Sequence, residues 1–255
     1  MDSDDRYRDS GGRTLADYPR PSLAVDTAVL TVGPDRTLHV LQVRRGGERG
    51  WALPGTFLHE GERLIDAVLR SLRDKASVEG LQPRQLHVFD EPSRDDRGWV
   101  LSVAHLMVVP FDRLMSRAST TRLVPVHSPG RMPYGHGDMI AMAAADVRRR
   151  YRELPDPDGL LPDAFTVLEL RRVHAAVAGR PMQKDTFRRA MEPNLIGTGE
   201  MTSGTRGRPA ALFRRRLSAG SRDANRPNSD TSTLRRVRAS LERSGEFSVP
   251  PGWLD

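Results

Sequence analysis

The sequence predicts an α+β protein of two domains: an N-terminal α/β/α sandwich around a mixed sheet, and a C-terminal winged helix-turn-helix. Three observations predict this fold class. Segments with the alternation of β-strands flank helix-like stretches in the first 154 residues, a proline-rich segment follows, and two short helical patterns then precede a Gly- and Arg-rich hairpin pattern. The 255 residues are 37% hydrophobic, which is enough to bury two modest cores.

The N-terminal domain is predicted over residues 21–154. Residues 1–20 are polar, charged and without periodicity, and we expect them to form a disordered arm. Gly, Pro and Asp in GPDRT interrupt β-branched alternation and so predict a turn between two strands. The predicted strands cover residues 22–32, 38–45, 86–89 and 99–109. One predicted helix lies between the second and third strands, with Leu64, Ala67, Val68 and Leu72 on its buried face, and another covers residues 139–154.

Residues 54–80, PGTFLHEGERLIDAVLRSLRDKASVEG, resemble a Nudix box, whose frame is G, five residues, E, seven residues and REUxEExGU, with U a bulky aliphatic residue. In such a box, helical glutamates bind Mg²⁺ ions that neutralise a diphosphate and activate water. Alignment on Glu62 keeps Arg70 but places Ser71, Asp74 and Lys75 where three glutamates should stand. An ammonium at a cation site opposes metal binding by Coulomb repulsion. We therefore expect a domain that is not an enzyme and holds no metal or cofactor.

Positive charge is concentrated in one C-terminal segment. Residues 180–216 contain nine basic and three acidic residues, which account for +6 of the net charge of +7. Such a concentration is typical of a surface that neutralises nucleic-acid phosphates. A solvated basic face without a partner is the alternative that charge alone leaves open.

The proline-rich segment 155–162 cannot continue a helix and is predicted to be a linker. In the winged helix predicted over residues 163–216, Thr166 and Glu169 form a capping-box pair that begins a helix ending at Gly179. The segment MQKDTFRRAM follows as a second helix, and two strands around a basic tip complete the wing. Residues 217–255 are predicted to be a largely disordered tail.

A helix fits the major groove of DNA and can present arginines to guanine edges, while a basic wing reaches phosphates or the minor groove. The two arginines of the second helix are the candidates for reading bases, and its first turn and the wing supply the other candidates. The predicted DNA-binding residues are Gln183, Lys184, Thr186, Arg188, Arg189, Arg206 and Arg208. For each of them a solvated side chain is the alternative.

The order of these features, over about residues 21–216, resembles the NrtR-type family of Nudix-related transcriptional regulators of NAD metabolism. The segments that carry the resemblance are RGWALPG, PSRDDRGWVLSVAHLMVVP, GRPMQKDTFRR and GRPAALFR. The resemblance implies a homodimeric repressor that acts in the cytoplasm, at the nucleoid. Its degenerate Nudix domain would sense ADP-ribose or a related nucleotide, and its paired winged helices would bind double-stranded, palindromic operator DNA before genes of NAD biosynthesis or pentose use.

A nucleotide pocket needs cations for phosphates, aromatic faces for the base and acceptors for ribose hydroxyls. Arginines are the phosphate candidates, aromatic residues the base or ribose candidates, and one glutamate the ribose acceptor. The predicted nucleotide-binding residues are Arg44, Arg45, Trp51, Phe57, Glu62 and Arg97. Surface ion pairs for the arginines, and core packing for the aromatic residues, are the alternatives.

Two other functions remain open at this point. An active Nudix pyrophosphatase with an appended nucleic-acid-binding domain would use Glu62, Asp74 and Glu79 as a rearranged metal site. A Nudix-like domain could also serve as a dimerisation scaffold alone. The chain has no Cys, which excludes disulfides and cysteine-based zinc sites, and it has no apolar run of membrane-spanning length, so we expect no membrane partner.

Overall fold

The computed structural model describes residues 8–46, 50–80, 82–202 and 209–216. The predicted tail, 217–255, lies outside these ranges, and in the predicted arm the short stretch Leu15–Asp17 forms a 3-10 turn. The N-terminal domain contains a seven-stranded sheet. Its strands are β1 (Ser22–Val32), β2 (Leu38–Arg44), β3 (Trp51–Ala52), β4 (Gly55–Phe57), β5 (Arg84–Phe89), β6 (Val100–Val108) and β7 (Thr121–Pro125).

The sheet is mixed, as predicted. Its main path runs β3-β2-β1-β6-β5, with β4 paired to β1 and β7 paired to β2. The pair of β1 and β6 is parallel over nine residues, and the other pairs are antiparallel. Strand β1 lies at the centre, and its side chains are buried on both faces, with Val25 and Val29 on one side and Ala28 and Leu30 on the other. A strand covered on both faces reads as a continuous apolar run, which explains the segment AVDTAVLTV.

Two helices cover the two faces of the sheet. Helix α1 (Leu64–Ala76) packs Ala67, Val68 and Leu72 on one face, and helix α2 (His136–Glu153) packs on the other. Helix α2 begins three residues earlier than predicted, because Gly135 takes the left-handed conformation, φ 69°, directly before it. These layers confirm the predicted α/β/α sandwich.

The winged helix is also present. It consists of β8 (Phe165–Thr166), α3 (Val167–Ala178), α4 (Lys184–Met191), β9 (Leu195–Met201) and β10 (Ala211–Arg215). The predicted capping box is confirmed: the Glu169 amide donates to Thr166 Oγ1 at 3.2 Å, and the Thr166 amide donates to Glu169 Oε2 at 2.7 Å. Gly179, at φ 68°, ends α3 in the left-handed conformation. A small core around Phe165, Leu170 and Phe187 holds the two helices against the hairpin.

Helix α3 shares a hydrophobic core with the N-terminal domain. Val177 is fully buried in the same cluster as Val147 and Tyr151 of α2, and Val173 packs against that cluster. The boundaries drawn at residues 155–162 stay a prediction. Within one chain, this shared packing joins the winged helix to α2 as one packed body.

The segment between α2 and β8 is anchored by one buried carboxylate. Asp156, at φ 49°, accepts hydrogen bonds from the Tyr151 hydroxyl at 2.8 Å, from the amides of Leu160 and Leu161 at 2.9 and 2.8 Å, and from the guanidinium of Arg215. These donors come from α2, from the segment itself and from β10. Asp156 therefore fixes the path of the chain between the two domains.

His174 of α3 completes this junction. Its Nε2 accepts a hydrogen bond from the Asp156 amide at 3.2 Å, and its ring lies between those of Tyr151 and Phe187, with centroids 5.0 Å away on each side. The side chain is fully buried, and burial lowers the pKa of His174 to about 4, although the charge of Asp156 opposes the shift. A neutral imidazole thus stands where α2, α3 and α4 meet.

Candidate functional site

A cavity of about 460 Å³ opens beside the central strand of the N-terminal domain. Strands β1, β2 and β4, the end of α1, the loop 94–97 and the start of α2 form its walls. Five cationic side chains, three carboxylates and two aromatic rings line it. They are Arg44, Arg45, Lys75, Arg94, Arg97, Asp26, Asp74, Asp95, Phe57 and Tyr134. Such a lining suits a ligand that carries both phosphates and ring systems.

Asp26 of β1 forms the floor of this cavity. Ser102 Oγ donates to its Oδ2 at 2.6 Å, His136 Nε2 lies 3.2 Å from its Oδ1, and Arg94 Nη2 lies 4.0 Å from its Oδ2. The Leu53 amide donates to His136 Nδ1 at 3.0 Å, which leaves the imidazole proton on Nε2, facing the carboxylate. Burial alone would raise the pKa of Asp26, but His136, Ser102 and Arg94 together hold it below its ordinary value. The floor therefore carries a fixed negative charge.

Lys75 reaches this floor from α1. Its ammonium donates to the carbonyl oxygen of Gly55, which pairs with Asp26 across β4 and β1. A Cβ at Gly55 would lie 1.9 Å from Asp26 Oδ1, so the strands come this close because the residue has no side chain. Burial lowers the pKa of Lys75, and the charge of Asp26 partly offsets that shift. The last turn of α1 thus presents an ammonium to the cavity.

The other residues that align with the Nudix box, in segment 54–80, make structural contacts within the domain. Both carboxylate oxygens of Glu62 accept hydrogen bonds of 2.8 Å from Arg70, whose guanidinium also donates to the Phe57 carbonyl at 3.0 Å. This pairing lowers the pKa of Glu62 to about 2. Ser71 is buried, and Asp74 pairs with its neighbour Arg73 at 2.9 Å. This donor set does not suit a divalent cation, because Glu62 and Asp74 are each paired with an arginine and the ammonium of Lys75 adds a further positive charge beside Asp74 in the sequence.

Two arginines stack on one tyrosine at the cavity mouth. The guanidinium carbons of Arg45 and Arg97 lie 4.9 and 4.3 Å from the centroid of the Tyr134 ring, and Arg97 also lies 5.0 Å from that of Phe57. Asp95 accepts hydrogen bonds of 2.8 and 2.6 Å from Arg97, and these bonds lower the pKa of Asp95 although burial opposes the shift. Arg97 is therefore held in one orientation, with a flat cationic face beside aromatic rings.

Four of the six predicted nucleotide-binding residues line the cavity: Arg44, Arg45, Phe57 and Arg97. The other two lie elsewhere. The ring of Trp51 lies under the guanidinium of Arg122, 4.3 Å from centroid to carbon. Glu62, in the loop between β4 and α1, is held by its pair with Arg70.

Helix α4 presents the predicted DNA-binding residues to solvent. Phe187 and Met191 are buried, while Lys184, Thr186, Arg188 and Arg189 are exposed, and the exposed Gln183 accepts a hydrogen bond from the Thr186 amide at 2.6 Å as the N-cap. The other two predicted residues, Arg206 and Arg208, lie outside the described residues. The exposed face of α4 is thus basic and directed away from the core.

Arg188 forms an ion pair within its own helix region. Its guanidinium pairs with Glu192, with Nη2 to Oε1 at 3.0 Å and Nε to Oε2 at 3.2 Å, and this pair raises the pKa of Arg188. Arg188 must therefore exchange a carboxylate for any base that it contacts, whereas Arg189 has no such pair among the described carboxylates.

Comparison with known proteins identifies the family. Residues 159–215 match the model of the NrtR DNA-binding winged helix domain. The crystal structure of Shewanella oneidensis NrtR in complex with a 27mer DNA is 31% identical in sequence and superposes with a TM-score of 0.64, covering 76% of this chain and 93% of that one. The chain belongs to the NrtR family.

Two further relatives of this NrtR-family chain concern its N-terminal domain. A MutT/nudix family protein from Enterococcus faecalis, 24% identical, covers 80% of this chain and 89% of its own with a TM-score of 0.64, and supports the fold. An ADP-ribose pyrophosphatase of Methanocaldococcus jannaschii is 29% identical over 93 residues, which are 36% of this chain. The match spans 53% of that relative, about half of its length.

The sequence of this NrtR-family chain does not predict four of the residues that line the cavity, namely Asp26, Arg94, Tyr134 and His136. Asp26 leaves one signal, a carboxylate in the middle of an apolar strand, which is costly unless it is paired. The other three lie in a loop, in a turn and at a helix start, where no periodicity marks them.

Within the described ranges, none of the helices combines the length and the apolar character that crossing a bilayer requires.

Proposed function

We propose that this chain is a DNA-binding transcriptional repressor whose Nudix domain binds ADP-ribose or a related nucleotide as effector. The observation that carries the proposal is the joining of two sites in one packed chain. A basic, solvent-facing recognition helix and a cationic, aromatic cavity belong to two domains that share one hydrophobic core.

The DNA side of the proposal rests on α4. A helix of eight residues with exposed Lys184, Arg188 and Arg189 has the shape and charge that the major groove accepts. The S. oneidensis relative was crystallised with DNA. We expect two chains to pair, since reading a palindrome requires two recognition helices related by a two-fold axis.

The nucleotide side rests on the chemistry of the cavity. Arg44, Arg45 and Arg97 supply guanidinium groups for a diphosphate, and Tyr134 and Phe57 supply aromatic faces at its mouth. The fixed carboxylate of Asp26 supplies an acceptor for hydroxyl groups. ADP-ribose carries all three kinds of group, and the M. jannaschii relative is named for acting on it.

We further propose that the chain has lost hydrolysis. The ammonium of Lys75 stands at the floor of the cavity, next to Asp26, where it offers a phosphate a counter-charge and opposes a divalent cation. The pair of Glu62 and Arg70 braces the loop after β4. On this proposal, an active pyrophosphatase is the disfavoured alternative, and the box survives because it still builds the pocket.

Helix α2 is the proposed connection between the two sites. His136, its first residue, and Tyr134, two residues before it, line the cavity, and Tyr151, about 22 Å from His136 at 1.5 Å per residue, contacts Asp156 and His174. Because α3 shares a core with α2, a hinge between them would break buried packing. We propose that a bound nucleotide moves α2 and the winged helix together and changes the separation of the two recognition helices in a dimer.

The test titrates the protein into labelled DNA taken from upstream of the chain's own gene and of NAD-synthesis genes. Fluorescence anisotropy measures binding, with and without ADP-ribose. We expect nanomolar-range binding that ADP-ribose weakens and that Arg189→Ala weakens by about 1–3 kcal/mol on specific DNA alone. Operator affinity that is unchanged at saturating ADP-ribose rejects that effector.

A second measurement separates the regulator from the enzyme. Calorimetry should detect ADP-ribose binding that Arg97→Gln weakens and Arg63→Gln, on the exposed start of α1, does not. Incubation with ADP-ribose and Mg²⁺ should release no AMP. Steady AMP release that Asp74→Ala abolishes would restore the pyrophosphatase.

A further inference from the structure

A second cleft, of about 610 Å³, lies between the two domains on the side of the sheet that α2 covers. The turn between β1 and β2 and the residue His127 form one wall, and α3 with the turn before α4 forms the other. Four arginines line it, Arg36 from the N-terminal domain and Arg171, Arg172 and Arg180 from the winged helix, and none of the lining residues is acidic. The cleft is therefore an anion-attracting surface built by both domains.

Arg36 occupies a backbone position that does not favour arginine. Its amide donates to the Gly33 carbonyl at 2.9 Å, and its φ of 60° lies in the left-handed region, where Gly or Asn is the unstrained choice. The described contacts include no ion pair between Arg36 and the neighbouring Asp35, whose carboxylate accepts a hydrogen bond from the Thr37 amide at 3.2 Å and lies 3.4 Å from His39 Nε2. Strain at an exposed, charged turn residue points to a contact outside the chain.

The position of the cleft beside α3 indicates which anion binds there. In a helix-turn-helix, the second helix enters the major groove while the first crosses the phosphate backbone. Here α4 is the second helix and α3 the first. Arg172, on α3, and Arg180, on the turn that leads to α4, are exposed and line the same cleft as the exposed Arg36. A phosphate backbone crossed by α3 would therefore pass close to this cleft.

We propose that this cleft binds a phosphate of the operator backbone, so that Arg36 of the Nudix domain itself contacts DNA together with Arg172 and Arg180 of the winged helix. The inference rests on the proposed DNA-binding function and extends it. Because one phosphate is held from both domains, the contact forms only while the domains keep the present separation. The sensor domain then contributes directly to operator affinity.

The test compares variants of the full chain on operator and random duplexes over a range of salt concentrations. Arg36→Asn removes the charge and suits the left-handed backbone, so the thermal unfolding midpoint should stay equal or rise. Loss of one phosphate contact should weaken both duplexes by a similar factor, about fivefold to tenfold near 0.1 M salt, and reduce the slope of log K against log salt by about 1 per chain. Arg36→Lys keeps the charge and should restore the wild-type slope.

The matched control is Arg63→Gln, an exposed arginine at the start of α1 on the opposite face of the sheet, which should change neither duplex. Wild-type slopes for Arg36→Asn overturn the inference and leave the proposed function intact. If Arg36→Asn leaves DNA binding unchanged and abolishes a thermal shift caused by inorganic phosphate, the cleft takes a free anion and the DNA contact is wrong. A wild-type chain that binds neither duplex refutes the proposed function itself.

Discussion

Protonation of His174 should loosen the junction between the two domains. Because burial lowers the pKa of His174 to about 4, the folded chain binds a proton there less readily than the unfolded chain, whose histidine titrates near 6.5. The unfolded state is therefore favoured as pH falls from about 6.5 to about 4. The neutral ring also accepts a hydrogen bond from the Asp156 amide and makes edge-to-face contacts with the rings of Tyr151 and Phe187, and these contacts hold the imidazole in place.

The magnitude follows from the two pKa values. Between pH 7 and pH 5, this one group should remove about 2 kcal/mol from the free energy of unfolding. The assay is urea unfolding at both pH values for the wild-type chain, for His174→Gln, which keeps an acceptor but does not titrate, and for His59→Gln, which alters an exposed histidine. The wild type and His59→Gln should lose about 2 kcal/mol more than His174→Gln on acidification. Equal losses in all three would refute the reasoning.

Three other changes test the site and the recognition helix. Gly55→Ala should cost on the order of 3 kcal/mol in thermal unfolding, since its Cβ meets Asp26; near-wild-type stability would contradict the close approach of the strands. Glu192→Ala should free Arg188 and tighten operator binding about two- to fivefold in anisotropy, whereas weaker binding would make the pair a positioning contact. Glu62→Gln should lower the unfolding temperature clearly at pH 7 but only slightly near pH 2. The reason is that the wild-type ion pair with Arg70 is itself lost as pH falls from about 4.5 towards 2. Equal effects at both pH values would show that the charge of Glu62 does not contribute to stability.

Local signals account for the elements that the sequence predicted well. The capping box of Thr166 and Glu169 fixes the start of α3, because both hydrogen bonds join residues three apart. Alternation and turn residues likewise give β1, β2, β5 and β6 to within a few residues. The sequence does not predict the short strands β3, β4 and β7, because a strand of two to five residues carries too little periodicity to be recognised.

The sequence by itself determined the two-part architecture and the loss of a glutamate-rich box, since spacing, caps and residue types are properties of neighbours along the chain. Only the tertiary structure decided which contacts the residues of the box make. Asp26, Gly55, Lys75 and His136 meet because β4 pairs with β1, α1 covers one face of the sheet and α2 begins at its edge. A contact between residues more than a hundred positions apart depends on strand register and helix packing, which no local pattern encodes.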